Sequence, residues 1–265
     1  MPRVASARER AAWETAVPIA GATLLVLYAL PVAWLFLARS PASVLASLNE
    51  PFVVGAARNT LVSATASTAL ALLFGLPLAY WLARTDVRGQ TLVTAVVAFP
   101  LVLPPVVSGM VLLSAFGSDG LGGLVGISVD GTLFGVVLAQ TFVASPFVVL
   151  SARSAFERVD RHLEEVAWTQ GVSRWRTLRR VTLPLARRGI LAGATLAFAR
   201  AAGEFGATLM LAYYPRTLPV QIWATFQGRG LDAAVPVAVV LVVVASAALV
   251  VLNTLGRSSP VGVRE

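Results

Sequence analysis

Apolar residues run through this chain in long unbroken stretches, separated by short polar or arginine-rich connections. A helix needs about 20 consecutive apolar residues to cross a hydrocarbon core. Five uncharged windows reach that length: Thr15–Ala38, Asn59–Ala83, Gly89–Ser118, Gly131–Ala152 and Ala233–Gly256. A sixth, Gly189–Pro215, is as long but contains Arg200 and Glu204. The pattern predicts helices at roughly 16–37, 60–82, 92–116, 132–150, 189–212 and 235–255. The runs are continuous and lack a period of two, which argues against a β-barrel. The first follows Arg3, Arg8 and Arg10 as in a secretory signal, but it is too long for such an apolar region, so a retained span is expected.

One polar interruption, 151–188, is much longer than the others. Arg153 to Thr169 reads as a helix continuing out of the fourth span, with Phe156, Val159, Leu163 and Val166 at three- and four-residue spacing. Gly171 allows a sharp reversal that a Cβ would resist. Ser173 is placed to N-cap a second short helix, Arg174–Val181, and Pro184 marks a break before the fifth span. Such a helix–turn–helix, with an apolar ridge and a basic flank, suits insertion into a groove of another protein. It equally suits an amphipathic segment lying on anionic lipid.

Composition agrees with membrane insertion. Of the 265 residues, 57% are hydrophobic and 13% charged, with mean hydropathy +0.79; soluble domains are about 25% charged. The net charge of +8 comes from 21 arginines with no lysine, and these lie mainly in alternate connections. That distribution fits membrane topology and argues against nucleic acid. Without cysteine there is no disulfide, iron–sulfur or thiolate-zinc chemistry. The absence of lysine excludes a P-loop in this chain. The lone histidine, His162, reads as a solvated residue of a charged loop.

Arginine asymmetry orients the spans. Arg3, Arg8, Arg10, Arg84, Arg88, nine arginines of 151–188, Arg257 and Arg264 fall on one side, sixteen in all; Arg39, Arg58, Arg216 and Arg229 fall on the other. Both termini and the long loop are therefore expected in the cytoplasm. The opposite connection, Gly117–Gly131, is too glycine-rich for a stable helix and reads either as a flexible loop or as a surface receiving a partner.

Within the long loop stands Glu164-Glu165-Val166-Ala167-Trp168-Thr169-Gln170-Gly171, followed ten residues after the glycine by Val181-Thr182-Leu183-Pro184. The spacing resembles the EAA loop of ABC-importer permeases: Glu-Ala-Ala, three residues, Gly, nine residues, Ile, one residue, Leu-Pro. Glu165, Ala167, Gly171, Leu183 and Pro184 match, while Val166 and Val181 are apolar exchanges. The resemblance favours docking over lipid and implies that the segment couples to a cytoplasmic ATPase subunit through Glu165, Ala167 and Gly171, with Leu183 and Pro184 completing the motif.

Two further stretches narrow the resemblance. Pro100-Leu101-Val102-Leu103-Pro104-Pro105 is similar to a segment of the third span in molybdate permeases, and Arg200-Ala201-Ala202-Gly203-Glu204-Phe205-Gly206-Ala207-Thr208 to a run shared by molybdate and tungstate permeases, with a close variant in sulfate permeases. Arg216-Thr217-Leu218-Pro219-Val220 fits the same group. Prolines at membrane depth are tolerated where the break lines water or is buried in protein, so Pro104 and Pro105 mark either a pathway element or kinked packing. Arg200 and Glu204 stand four apart and can pair. They form either a structural ion pair or, with Thr208, part of an anion route to which Arg200 adds positive potential.

The resemblance implies an all-α integral membrane protein of six transmembrane helices with type I ABC-importer permease architecture. Its expected organisation is a cytoplasmic segment 1–15, a first span with external loop 16–56, a permease domain 57–255 containing the coupling loop 151–188, and a cytoplasmic tail 256–265. Located in the plasma membrane, it would work as a homodimer with an extracytoplasmic oxyanion-binding protein and separate ATPase subunits. ATP and magnesium would belong to the ATPase; no cofactor and no nucleic acid are expected in this chain. A secondary transporter or channel, with Arg200 and Glu204 as gating charges, is the competing class. An intramembrane enzyme lacks the necessary histidine or carboxylate cluster. Sulfate is the competing solute.

Overall fold

The computed structural model describes residues 7–37, 40–86, 88–124, 126 and 129–257, except the side chains at 7–12, 15, 252, 253 and 255–257. Most of segment 1–15 and of tail 256–265 therefore lies outside the described side chains. So do Arg3, Arg8, Arg10, Arg39, Arg257 and Arg264, all of which entered the arginine asymmetry. The described residues form helices joined by short connections: α1 (Ala7–Leu37), α2 (Pro41–Leu48), α3 (Pro51–Arg84), α4 (Gln90–Val102), α5 (Pro105–Phe116), α6 (Leu121–Leu124), α7 (Leu133–Glu157), α8 (Arg161–Thr169), α9 (Arg174–Thr177), α10 (Leu183–Ala202), α11 (Gly206–Leu211), α12 (Leu218–Arg229) and α13 (Leu231–Arg257). Five helical stretches among them are long and apolar enough to cross a membrane. The 20-residue α10 falls outside that set and carries Arg187, Arg188 and Arg200.

The centre is a three-helix packing of α3, α7 and α10. Along α3 the buried positions run Val53, Ala56, Thr60, Ala64, Ser67, Ala71, Gly75, Ala79 and Leu82, a seam of mostly small residues at three- and four-residue spacing. Small side chains let backbones approach where lipid supplies no hydrophobic driving force between helices. Ser67 at this seam donates to the Val137 carbonyl (3.0 Å) and to Gln140 Oε1 (3.3 Å), joining α3 to α7. By contrast, described side chains of α1 are exposed almost throughout, and its apolar character all round suits contact with lipid.

Two spans are broken within the membrane-spanning stretch. The third divides into α4 and α5 at Leu103 and Pro104, both extended, with Pro105 opening α5. The prolines lack the amides a continuous helix would use. The fifth was expected as one helix over 189–212, but α10 ends at Ala202 and α11 starts at Gly206. Its second half is short, and the chain then passes through a cis Tyr214–Pro215 bond into α12. Helices α2 and α12 occupy stretches expected as connections, and α3 begins at Pro51, ahead of its expected start. Both α2 and α12 have proline in the first turn, where its missing amide costs no helical bond. Among the described residues of the glycine-rich stretch 117–131, Leu121–Leu124 form a short helical turn, α6.

Candidate coupling elbow and membrane-centre site

The long loop folds as an elbow. Helix α7 ends at Glu157, and Asp160 starts α8 by accepting the His162 amide at 2.9 Å. This corrects the expectation of one helix from Arg153 to Thr169: Asp160 offers the backbone a cap in place of continuation. The expected apolar ridge divides at the same point. Phe156 and Val159 are buried in the body, whereas Leu163 and Val166 are exposed on α8.

At the far end of α8 the amide of Gln170 donates to the Val166 carbonyl, that of Gly171 to Trp168, and that of Val172 to Ala167. Gly171 adopts φ +81°, and a Cβ there would meet nothing within 4 Å. The requirement for glycine is therefore backbone conformation, since L-residues pay in the left-handed region whatever the free space. Ser173 stands at the N-cap of α9, but its side chain makes no capping bond. Helix α9 continues through a π-helical turn, Leu178–Thr182, directly into α10. Pro184 thus marks no break: it sits in the first turn of α10, and the wider turn before it carries the chain past the missing amide. Leu183 packs against the cluster around Val149, Ala152 and Phe156, while Pro184 is exposed.

The two adjacent glutamates of α8 face opposite environments. Glu165 has a 63% exposed side chain, 3.9 Å from the exposed His162, whereas that of Glu164 is only 2% exposed. Arg84, the last residue of α3, donates to the Glu164 carboxylate from Nε (3.1 and 3.2 Å) and Nη2 (2.9 Å), and from Nη2 to the Val159 carbonyl (3.2 Å). Thr182 of the π turn donates to Glu164 Oε1 at 2.6 Å, and Arg161 donates to the Ala83 carbonyl at 3.1 Å. A bidentate arginine–carboxylate pair is among the strongest and most directional polar contacts. Glu164 therefore ties the elbow to the ends of α3 and α10.

Sequence reasoning selected Glu165 and passed over Glu164 and Arg84. The available signal was two consecutive glutamates on one helix, which cannot share a face, opposite a lone arginine closing a span. Of the residues the motif selected, Glu165 and Gly171 are exposed and Ala167 and Leu183 half-buried. Between the elbow and the end of α3 lies a cleft of about 580 Å³, lined among others by Trp81, Trp168, Trp175, Arg161, Arg174 and Glu165. Arg174 stacks on Trp168 at 5.2 Å and Arg179 on Trp175 at 5.9 Å. The outer surface thus presents guanidinium groups braced on aromatic rings, an arrangement suited to an acidic protein groove.

The second constellation surrounds the break in the fifth span. Arg200 Nη1 and Glu204 Oε2 are in direct ionic contact, as their spacing predicts, yet Glu204 lies outside the helix. Its Oε1 accepts the Ala207 amide at 2.7 Å, so the carboxylate closes the start of α11 instead of extending α10. Glu204 is buried, whereas the Arg200 side chain keeps 30% exposure. Thr208 is fully buried and, among the described residues, its Oγ1 finds no hydrogen-bond partner; Ser108 on α5 is in the same state.

The structure brings the two second halves together. A Cβ on Gly206 would stand 2.9 Å from Pro105 Cβ and the Val106 amide nitrogen, and one on Gly109 would stand 2.7 Å from the Ala207 carbonyl oxygen. Pro105 and the 204–208 turn are thereby neighbours, with Pro104 exposed at the preceding break.

Known proteins share this architecture. The family model described as binding-protein-dependent transport system inner membrane component matches residues 71–259. A probable molybdenum ABC transporter permease protein of Haloferax volcanii is 55% identical over 246 residues, covering 93% of this chain and 91% of that protein. The molybdate/tungstate transport system permease protein WtpB of Thermococcus kodakarensis is 40% identical over 242 residues, covering 90% and 94%. Among solved structures, a bacterial alginate ABC transporter in complex with a pentasaccharide-bound periplasmic protein superposes with TM-score 0.70 at 18% identity, covering 94% of this chain and 95% of that one. The MetNI methionine ABC transporter does so with TM-score 0.65 at 21%, covering 79% and 98%. With its elbow, its all-helical membrane fold and these matches, the chain belongs to the family of binding-protein-dependent transport system inner membrane components, the permease subunits of ABC importers.

Proposed function

We propose that this chain forms the membrane pathway of an ATP-driven importer for molybdate or tungstate. The observation that carries the mechanism is the elbow: Glu165 and Gly171 are exposed, while Glu164 fastens the same helix to α3 and α10. A partner gripping the outer face would move two spans at once. That partner is a separate ATPase subunit, which holds the ATP and Mg²⁺; this chain does no covalent chemistry. The arginine asymmetry supports a cytoplasmic elbow and cytoplasmic termini; an extracytoplasmic oxyanion-binding protein would then dock on the opposite face and a second copy of the chain would complete the pathway.

The choice of solute rests on the relatives named for molybdenum and for molybdate/tungstate, and on Arg200. Its guanidinium is paired with Glu204, and its side chain keeps 30% exposure. A paired cation attracts an anion without trapping it, as conduction requires. The test is uptake of molybdate, tungstate and sulfate by vesicles containing the permease and its ATPase, loaded with ATP and supplied with the binding protein. Uptake of the first two, lost when the ATPase is omitted, is expected. Uptake confined to sulfate, or independent of the ATPase, would refute the reading.

A further inference from the structure

At the opposite end of α3 from the elbow stands a second cation. Asn59 and Arg84 are separated by 25 residues of one helix, about 38 Å along its axis. Asn59 Nδ2 donates to the Arg216 carbonyl at 2.9 Å, and the Leu218 amide donates to Thr60 Oγ1 at 2.7 Å, fixing the start of α12 against that end of α3. Arg200 lies between the two ends, since Ala197 and Ala201 pack at the level of Ala64 and Ala71.

The Arg216 guanidinium stacks against Tyr213 and Tyr214, with ring centroids at 4.7 and 4.6 Å. From Nη2 it donates to both phenol oxygens, at 2.8 and 2.6 Å, and from Nη1 to Gln221 Oε1 at 3.3 Å. Among the described residues no carboxylate lies within ion-pair reach of it. Among the same residues, its Nε and the fully buried Thr217 Oγ1 find no hydrogen-bond partner. A partly buried cation held so firmly, with no counter-charge, leaves an electrostatic demand unmet. Each phenol, having accepted from Arg216, still carries a proton to donate, and both rings are exposed, Tyr213 by 37% and Tyr214 by 56%. Behind them is the start of the 12-residue α12, whose N-cap Thr217 makes no side-chain capping bond.

We propose that Arg216, Tyr213 and Tyr214 form an entrance site that receives the doubly charged tetrahedral oxyanion before it reaches the level of Arg200. This rests on the import reading above. Two hydroxyl donors and a guanidinium edge match several oxygens of such an ion at once. The same chemistry would suit an acidic side chain of the docked binding protein, and the two sources separate by measurement.

The assay is ATP-driven uptake of molybdate by the complete permease–ATPase complex in liposomes, per assembled complex, as a function of holo-binding-protein concentration. For Arg216→Gln the maximal rate should fall roughly tenfold, the scale of one charge-assisted hydrogen bond, with half-saturation by the binding protein unchanged. ATP consumed per anion imported should rise, because anion released at the entrance escapes. Tyr213→Phe/Tyr214→Phe keeps both rings and the stacked cation, so it should assemble normally yet show the same pattern in weaker form. An unchanged maximal rate in that double variant, or a raised half-saturation with unchanged maximal rate in Arg216→Gln, would overturn the entrance site, the latter in favour of protein docking. Failure of the unsubstituted complex to import molybdate or tungstate would instead remove the import reading itself.

Discussion

The two glutamates of α8 show how much one side-chain direction decides. Glu164 is sealed in a bidentate bond with Arg84, whereas Glu165 faces water. Removing one member of a buried pair leaves the other charge uncompensated, at about 3–5 kcal/mol. Glu164→Gln is therefore expected to lower thermal stability of the purified permease and its yield of assembled complex. Glu165→Gln should leave stability unchanged and weaken capture of the ATPase in a pull-down. Equal effects on both measurements would contradict the division of labour. A similar contrast applies to Arg200 and Glu204. If Arg200 serves the route beyond its pair, Arg200→Met/Glu204→Gln should assemble yet transport slowly, and Glu204→Gln alone should retain more uptake than Arg200→Met. Near-normal uptake by the double variant would leave the pair a structural one.

Among the elements, what could be read from the sequence followed the strength of the local signal. The break in the third span was legible because Pro104 and Pro105 cannot supply the helix amides. The break in the fifth was not, because Arg200 and Glu204 at helical spacing suit an uninterrupted helix equally well. A single Gly203 is tolerated inside helices, and neither the capping of Ala207 by Glu204 nor the close approach of α11 to α5 leaves a local signal in the sequence. Pro184 misled in the other direction, since a π turn absorbs it. Gly171 was identified correctly as a reversal, and its positive φ makes a graded prediction. Asparagine tolerates that region far better than a β-branched residue. Gly171→Asn should keep most ATPase binding, whereas Gly171→Val should lose most of it while still inserting into the membrane. Equal binding by the two variants, measured by pull-down, would show that the turn conformation is not what the partner requires.

At the scale of the whole molecule, α3 gives the chain its two poles, with the Glu164–Arg84 bond at one end and the Asn59–Arg216 contact at the other. The apolar regions were legible from the runs, whereas the two contacts at the poles, which depend on which side chains meet, were not. The helices α2 and α12 were not, being too short and mixed to stand out from connections. Placing the elbow in the cytoplasm predicts that a cysteine at Ser118 is labelled by an impermeant thiol reagent from outside intact cells, and one at Ser173 only after permeabilisation. The reverse pattern would put the ATPase on the wrong face. The most direct measurement of the central claim is ATP-dependent oxyanion uptake by the reconstituted permease and ATPase, compared between the unsubstituted elbow and Gly171→Val. The account predicts molybdate or tungstate accumulation that requires both ATP and the intact elbow. Accumulation that persists without ATP, or that Gly171→Val leaves untouched, would contradict it.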